Sequence, residues 1–197
     1  MENLQRVLTA WHFVIFLRMF VAFILLAAGA AKLQSRREFV AVIRNYRLLP
    51  NGLVGWAAYV VPVSEVAVAV GLLTGYRLDW AAAGATLLFV VFAAAIAVNL
   101  LRGRRHISCG CFGGGGEKEL SWALVVRNSL LAAGAGAVWL TANASAYAEK
   151  LSVTETIYMM LASGALLSVY WLCGVLQTLR QLPRVEDYFS LERVKGK

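Results

Sequence analysis

Long apolar runs separated by short polar stretches frame this chain. Five runs, over residues 13–31, 54–74, 80–101, 121–142 and 154–179, are long enough to cross the roughly 30 Å hydrocarbon core of a bilayer. Lipid offers no partner to a backbone amide, so segments of this length read as α-helices, which satisfy their own hydrogen bonds. The pattern predicts an all-α polytopic membrane helix bundle of about five transmembrane helices in a single domain. Residues 13–142 form a four-helix core, 154–179 a fifth helix and 180–197 a charged tail. Ala27–Ala31 has the small residues of a signal-peptide cleavage site. The run before it exceeds the 7–15 residues of a signal core and holds Arg18, so it reads as an uncleaved helix.

The polar positions refine this frame. Residues 1–12 form a short polar N-terminus with one cation, Arg6. Residues 32–53 form a basic loop, with Lys32, Arg36, Arg37, Arg44 and Arg47 against Glu38 alone. Phe39, Val42 and Ile43 at helical spacing predict an amphipathic segment at the interface, and Pro50-Asn51-Gly52 a turn after it. Pro62 interrupts the second run, and Glu65 follows near mid-bilayer, where a charge is costly and marks either function or a buried pair. Runs of small residues at 81–85 and 132–137 offer faces for close helix contact.

Composition agrees. Of 197 residues 60% are hydrophobic and 15% charged, with a mean hydropathy of +0.66; a soluble domain carries about 25% charged residues. A net charge of +8 would suit nucleic acid, but the cations cluster between the spans, as in membrane-protein loops. Membrane lipid, not nucleic acid, is the partner this implies.

The chemistry concentrates in Cys109-Gly110-Cys111-Phe112-Gly113. Residues i and i+2 of a bent chain fall within the roughly 4.4–6.8 Å between Cα atoms that a disulfide needs, and Gly110 allows the positive φ that so small a ring demands. Arg104, Arg105 and His106 lie just upstream, and positive charge favours the thiolate. This reads as a redox dithiol whose strained disulfide is labile. Two inert thiols, or a metal site with His106 as third ligand, are the rival readings; the second lacks an evident fourth ligand, so no metal is assigned. Cys173, on an apolar helix, is either a small buried hydrophobe or a third thiol. With five spans, the basic loop, the cysteine loop and the tail share one side. Lys32, Asn99, Arg127, Asn128 and Cys173 lie in the membrane half next to it, with Glu65 deeper. A polar pocket beneath the dithiol loop, with Glu65 and Arg127 paired, is the arrangement this spacing allows.

Taken together, Gly29-Ala30-Ala31-Lys32, Phe39, Tyr46-Arg47-Leu48-Leu49-Pro50, Pro62-Val63-Ser64-Glu65, Cys109-Gly110-Cys111-Phe112-Gly113 and Arg127-Asn128 resemble the MauE/DoxX family of redox-associated membrane proteins. The fifth span suits the MauE branch better than the four-span DoxX branch. The resemblance implies a role in methylamine metabolism, in maturation of the disulfide-rich small (β) subunit of methylamine dehydrogenase. It implies a thioredoxin-like (MauD-type) partner whose cysteine pair exchanges with Cys109 and Cys111, and a place in the bacterial inner membrane. Regenerating the dithiol needs an electron acceptor or donor, and a membrane quinone held near Glu65 and Arg127 is the candidate by analogy with other membrane disulfide oxidoreductases. A non-catalytic assembly or docking factor, and a metal-handling membrane protein, stay open beside the thiol–disulfide oxidoreductase.

Charge and resemblance disagree on one point. Five lysines and arginines in the first loop, four in the cysteine loop and five in the tail oppose Arg6, Arg77 and Lys150 on the other side. The positive-inside rule then puts the dithiol in the cytoplasm, whereas the implied partner and client are periplasmic.

Overall fold

The computed structural model describes residues 2–105, 107, 120–142, 157–158 and 160–165, with the backbone alone over 2–11. Among them are five helices and no strand: α1 (Glu2–Gln34), α2 (Arg36–Tyr46), α3 (Asn51–Thr74), α4 (Leu78–Leu101) and α5 (Trp122–Ala142). Four have the length and apolar character to cross a membrane: α1 over His12–Gln34, α3, α4 and α5. Of the predicted fifth span, residues 157–158 and 160–165 are helical, and the Ser163 hydroxyl donates to the Phe16 carbonyl at 3.3 Å, seating that segment on α1. The rest of that span and the tail lie outside the described residues.

Two boundaries differ from the sequence reading. Residues 2–12, read as a polar N-terminus, continue α1 as helix. At its other end α1 runs on to Gln34, so Lys32 stands in its last turn rather than opening the loop. No glycine or proline follows Ala31 until Pro50, and a lysine is at home in a helix, above all beside the negative end of its macrodipole.

The small-residue faces do what they predict. Ala81, Ala82 and Ala85 of α4 and Ala132, Ala135 and Val138 of α5 are buried in one core with Val21, Ala22 and Leu25 of α1 and Ala69 and Leu72 of α3. Without side chains to hold them apart, the backbones approach closely enough for dispersion to bind helices that lipid does not push together. Exposed aromatics mark the two interfaces: Trp56, Tyr59 and Trp122 at one end of the bundle, Tyr76, Trp80 and Trp139 at the other.

At this second end, the Arg18 guanidinium donates to the carbonyls of Leu72 (2.5 Å) and Leu73 (3.1 Å) and so caps the C-terminus of α3. Gly75 closes that helix at φ 74°, and a Cβ there would lie 3.1 Å from Arg18 Nη2. Glycine is required twice over, by the left-handed turn and by the guanidinium.

At the first end lies α2. Phe39 and Tyr46 are buried beneath it, while Arg36, Arg37, Arg44 and Arg47 are exposed, which is the amphipathic interfacial helix that the spacing predicts.

Candidate functional site

The loop that carries the cysteines springs from this same end. The Leu120 amide donates to the Arg105 carbonyl at 2.9 Å, drawing the end of α4 and the start of α5 together. The Arg102 guanidinium reaches the Arg47 carbonyl at 3.5 Å, which puts α2 on the same face. Beneath that stem Tyr46, Ile96, Leu100 and Leu120 form a small core, joined by Val42, Ala95, Ile107 and Leu124. His106, Cys109, Gly110, Cys111 and Cys173 lie outside the described residues.

Under the stem is a cavity of about 270 Å³. Its walls are almost wholly apolar, with Phe39, Phe89 and Phe92 among them, and the polar side chains on them include Lys32, Glu65, Arg127 and Asn128. Tyr46, Ile96, Ala95 and Val42 belong both to the wall and to the core under the stem. Lys32, Arg127 and Asn128, which spacing placed in one membrane half, and the deeper Glu65 are thus brought round one space, with Phe39 and Tyr46 of α2 and Phe89 and Phe92 of α4 completing its wall.

The pairing is not the one that spacing suggested. Lys32 Nζ donates to Glu65 Oε1, so the carboxylate is neutralised by Lys32 and not by Arg127. The reason is the extra turn of α1, which carries the ammonium inward to the depth of Glu65. The side chains are 4% and 0% exposed, so this is a buried ion pair. The ammonium also stands 5.6 Å from the centroid of Phe39 and 5.0 Å from that of Phe92, within cation–π range of both. Glu65 Oε2 has no hydrogen-bond partner among the described residues, nor has Asn99 Oδ1. Asn99 and Asn128 turn their amide N–H groups back on their own helices, to Ala95 O (3.0 Å) and Leu124 O (2.8 Å).

A close approach of α1 to α3 holds this pair. A Cβ on Gly29 would lie 2.9 Å from Val66 Cγ2, 3.0 Å from the Pro62 carbonyl and 3.1 Å from Glu65 Cβ. Only glycine lets α1 come near enough for Lys32, one turn on, to reach Glu65. Outside the spans, burial pushes the Tyr46 phenol up to about 12. The rings of Phe89 and Phe92 went unnoticed in the sequence; their i, i+3 spacing on α4, one residue type twice on the same face, is the signal that marks them.

Four apolar helices packed through small residues, with an ion pair buried at a cavity inside them, define a multi-pass membrane protein with an intramembrane polar site. The family model "Methylamine utilisation protein MauE" matches residues 10–141, and the chain belongs to that family. It is 43% identical over 154 residues to the methylamine utilization protein MauE of Paracoccus denitrificans, covering 78% of this chain and 81% of the relative. The MauE protein of Paracoccus versutus is 42% identical over 132 residues (67% and 69%), and that of Methylorubrum extorquens 44% over 126 (64% and 68%). No solved structure matches the chain.

Proposed function

We propose that this protein serves methylamine utilisation from the cell inner membrane, as a thiol–disulfide redox component. In this reading it acts in maturation of the disulfide-rich small subunit of methylamine dehydrogenase. One of Cys109 and Cys111 attacks a disulfide, or is attacked as part of one; a mixed disulfide forms with a thioredoxin-like partner, and the second cysteine resolves it. Each exchange conserves bonds, one S–S broken for one made, and moves two electrons between the partners. The observation that carries the reading is the cysteine loop's stem, closed by Leu120 on Arg105, sitting on the rim of a cavity with a buried ion pair. Membership of the MauE family supplies the pathway.

The test is client maturation. With Cys109→Ser and Cys111→Ser together, the small subunit should accumulate with free thiols, counted by alkylation and mass spectrometry. Normal client disulfides in that strain would refute the redox role.

The charge on this face supports a second reading, a docking or assembly factor whose cysteine loop faces the cytoplasm, since α2 and the loop stem share the arginine-rich end. A membrane-impermeant maleimide, applied to intact, reduced cells in a Cys173→Ser background, separates the two. Labelling from outside places the dithiol with a periplasmic partner; labelling only after permeabilisation rejects periplasmic exchange and favours the docking factor.

A further inference from the structure

Thiol–disulfide exchange only passes electrons along, so a dithiol that turns over needs a terminal acceptor or donor. The cavity has the features of a place for one. Leu48, Leu49 and Val91 belong to its wall and are exposed on the outside of the bundle, Val91 in the middle of α4. An opening there faces lipid, so the occupant comes from the bilayer. A cavity of 150 Å³ lined by apolar side chains holds a benzene ring; one of about 270 Å³ takes a substituted six-membered ring and not a two-chain lipid. Phe39, Phe89 and Phe92 supply faces and edges for such a ring.

The polar atoms narrow the chemistry. Glu65 Oε2 is a buried acceptor whose partner must bring a hydrogen. A phosphate diester or a carboxylate has none to bring, so it would leave Oε2 without a partner. Lys32 has three N–H groups and gives one to Oε1, leaving it able to donate to a carbonyl. With Arg127 and Asn128 on the same wall, the Glu65 acceptor and the Lys32 donor in an apolar, lipid-open cavity match a ring that alternates between hydroxyl and carbonyl.

We infer that the cavity between α1, α2, α3, α4 and α5 is the ring site of a membrane quinone, with Glu65 Oε2 accepting from the hydroquinone hydroxyl and Lys32 Nζ donating to the quinone carbonyl. The inference rests on the redox reading only for what the ring does. When the dithiol is oxidised, the two S–H bonds of Cys109 and Cys111 break and one S–S bond forms. Two electrons and two protons pass to the quinone, which leaves as hydroquinone; the reverse flow reduces the dithiol.

Photocrosslinking of the purified full-length protein with an azido-benzoquinone bearing a decyl chain tests the site, the labelled peptides being mapped by mass spectrometry. Labelling should fall on α3 and α4 residues of the cavity wall and be suppressed by unlabelled decyl-benzoquinone. Val91→Trp, at a lipid-facing position that the fold does not depend on, should cut labelling at least about fivefold by blocking the opening. The double change Lys32→Met with Glu65→Gln, which removes both charges of the pair together, should raise the half-saturating concentration about tenfold for the loss of one charge-assisted hydrogen bond. The Cys109→Ser, Cys111→Ser variant should label as wild type does, so the site and the redox role fail separately. Labelling outside the cavity, labelling unchanged in both cavity variants, or labelling suppressed by anionic phospholipid but not by decyl-benzoquinone overturns the assignment.

Discussion

Removing either half of the Lys32–Glu65 pair should cost far more than removing both. The side chains are 4% and 0% exposed, and each has the other as its counter-charge. Lys32→Met leaves a carboxylate among Phe39, Phe92 and the apolar wall; Glu65→Leu leaves an ammonium there. Breaking a buried pair from one side costs about 3–5 kcal/mol, whereas replacing both charges by apolar groups is close to neutral. Arg127 stands on the same cavity wall within Coulombic reach of Lys32, so Glu65→Leu, which leaves two cations without the carboxylate, should be the costlier single change. The double variant should return to within about 1 kcal/mol of wild type, a coupling of several kcal/mol between sites 33 residues apart in sequence. Unfolding in mixed micelles, followed by circular dichroism as the denaturing detergent is raised, measures all four corners of the cycle. Additive single changes, or single changes that cost under about 0.5 kcal/mol, would show that the two groups do not depend on each other and would refute the pair.

Three further outcomes can be measured the same way. Gly29→Ala should destabilise by about 1–3 kcal/mol, since its methyl meets the Pro62 carbonyl and Val66 at 3.0 and 2.9 Å, whereas Gly55→Ala, with nothing within 4 Å, should be neutral or gain about 0.5–1 kcal/mol; equal effects would argue against the close α1–α3 approach. Arg18→Met should cost about 2–3 kcal/mol by uncapping the Leu72 and Leu73 carbonyls, with Arg18→Lys recovering only part because one ammonium lacks the planar fork; full recovery by lysine would rule out the two-carbonyl cap. Tyr46 is protonated more tightly in the folded protein, at about 12 against 10 when unfolded, so its contribution is whole below pH 10 and is lost as pH rises from there toward 12. Tyr46→Phe should flatten that part of the stability–pH curve; an unchanged curve would place the phenol in water.

Sequence alone determined the four spans found among the described residues, because crossing lipid is a local requirement: length, apolarity and the absence of unpaired backbone are properties of each segment by itself. It also marked the amphipathic α2 from Phe39, Val42 and Ile43, the tight-packing alanines of α4 and α5, and Glu65 as a charge that must be answered inside the membrane. Only the tertiary structure decided what answers it. Spacing offered Arg127, whereas Lys32, read as opening the loop, is the partner, which turns on one more turn of α1 and on its close approach at Gly29. The cavity is likewise a product of assembly. Phe39, Phe89, Phe92 and Val91 read as ordinary lipid-facing or core residues until the helices are set side by side. Depth, rotation and separation of neighbouring helices are fixed by contacts between residues far apart in sequence, and no local pattern carries them.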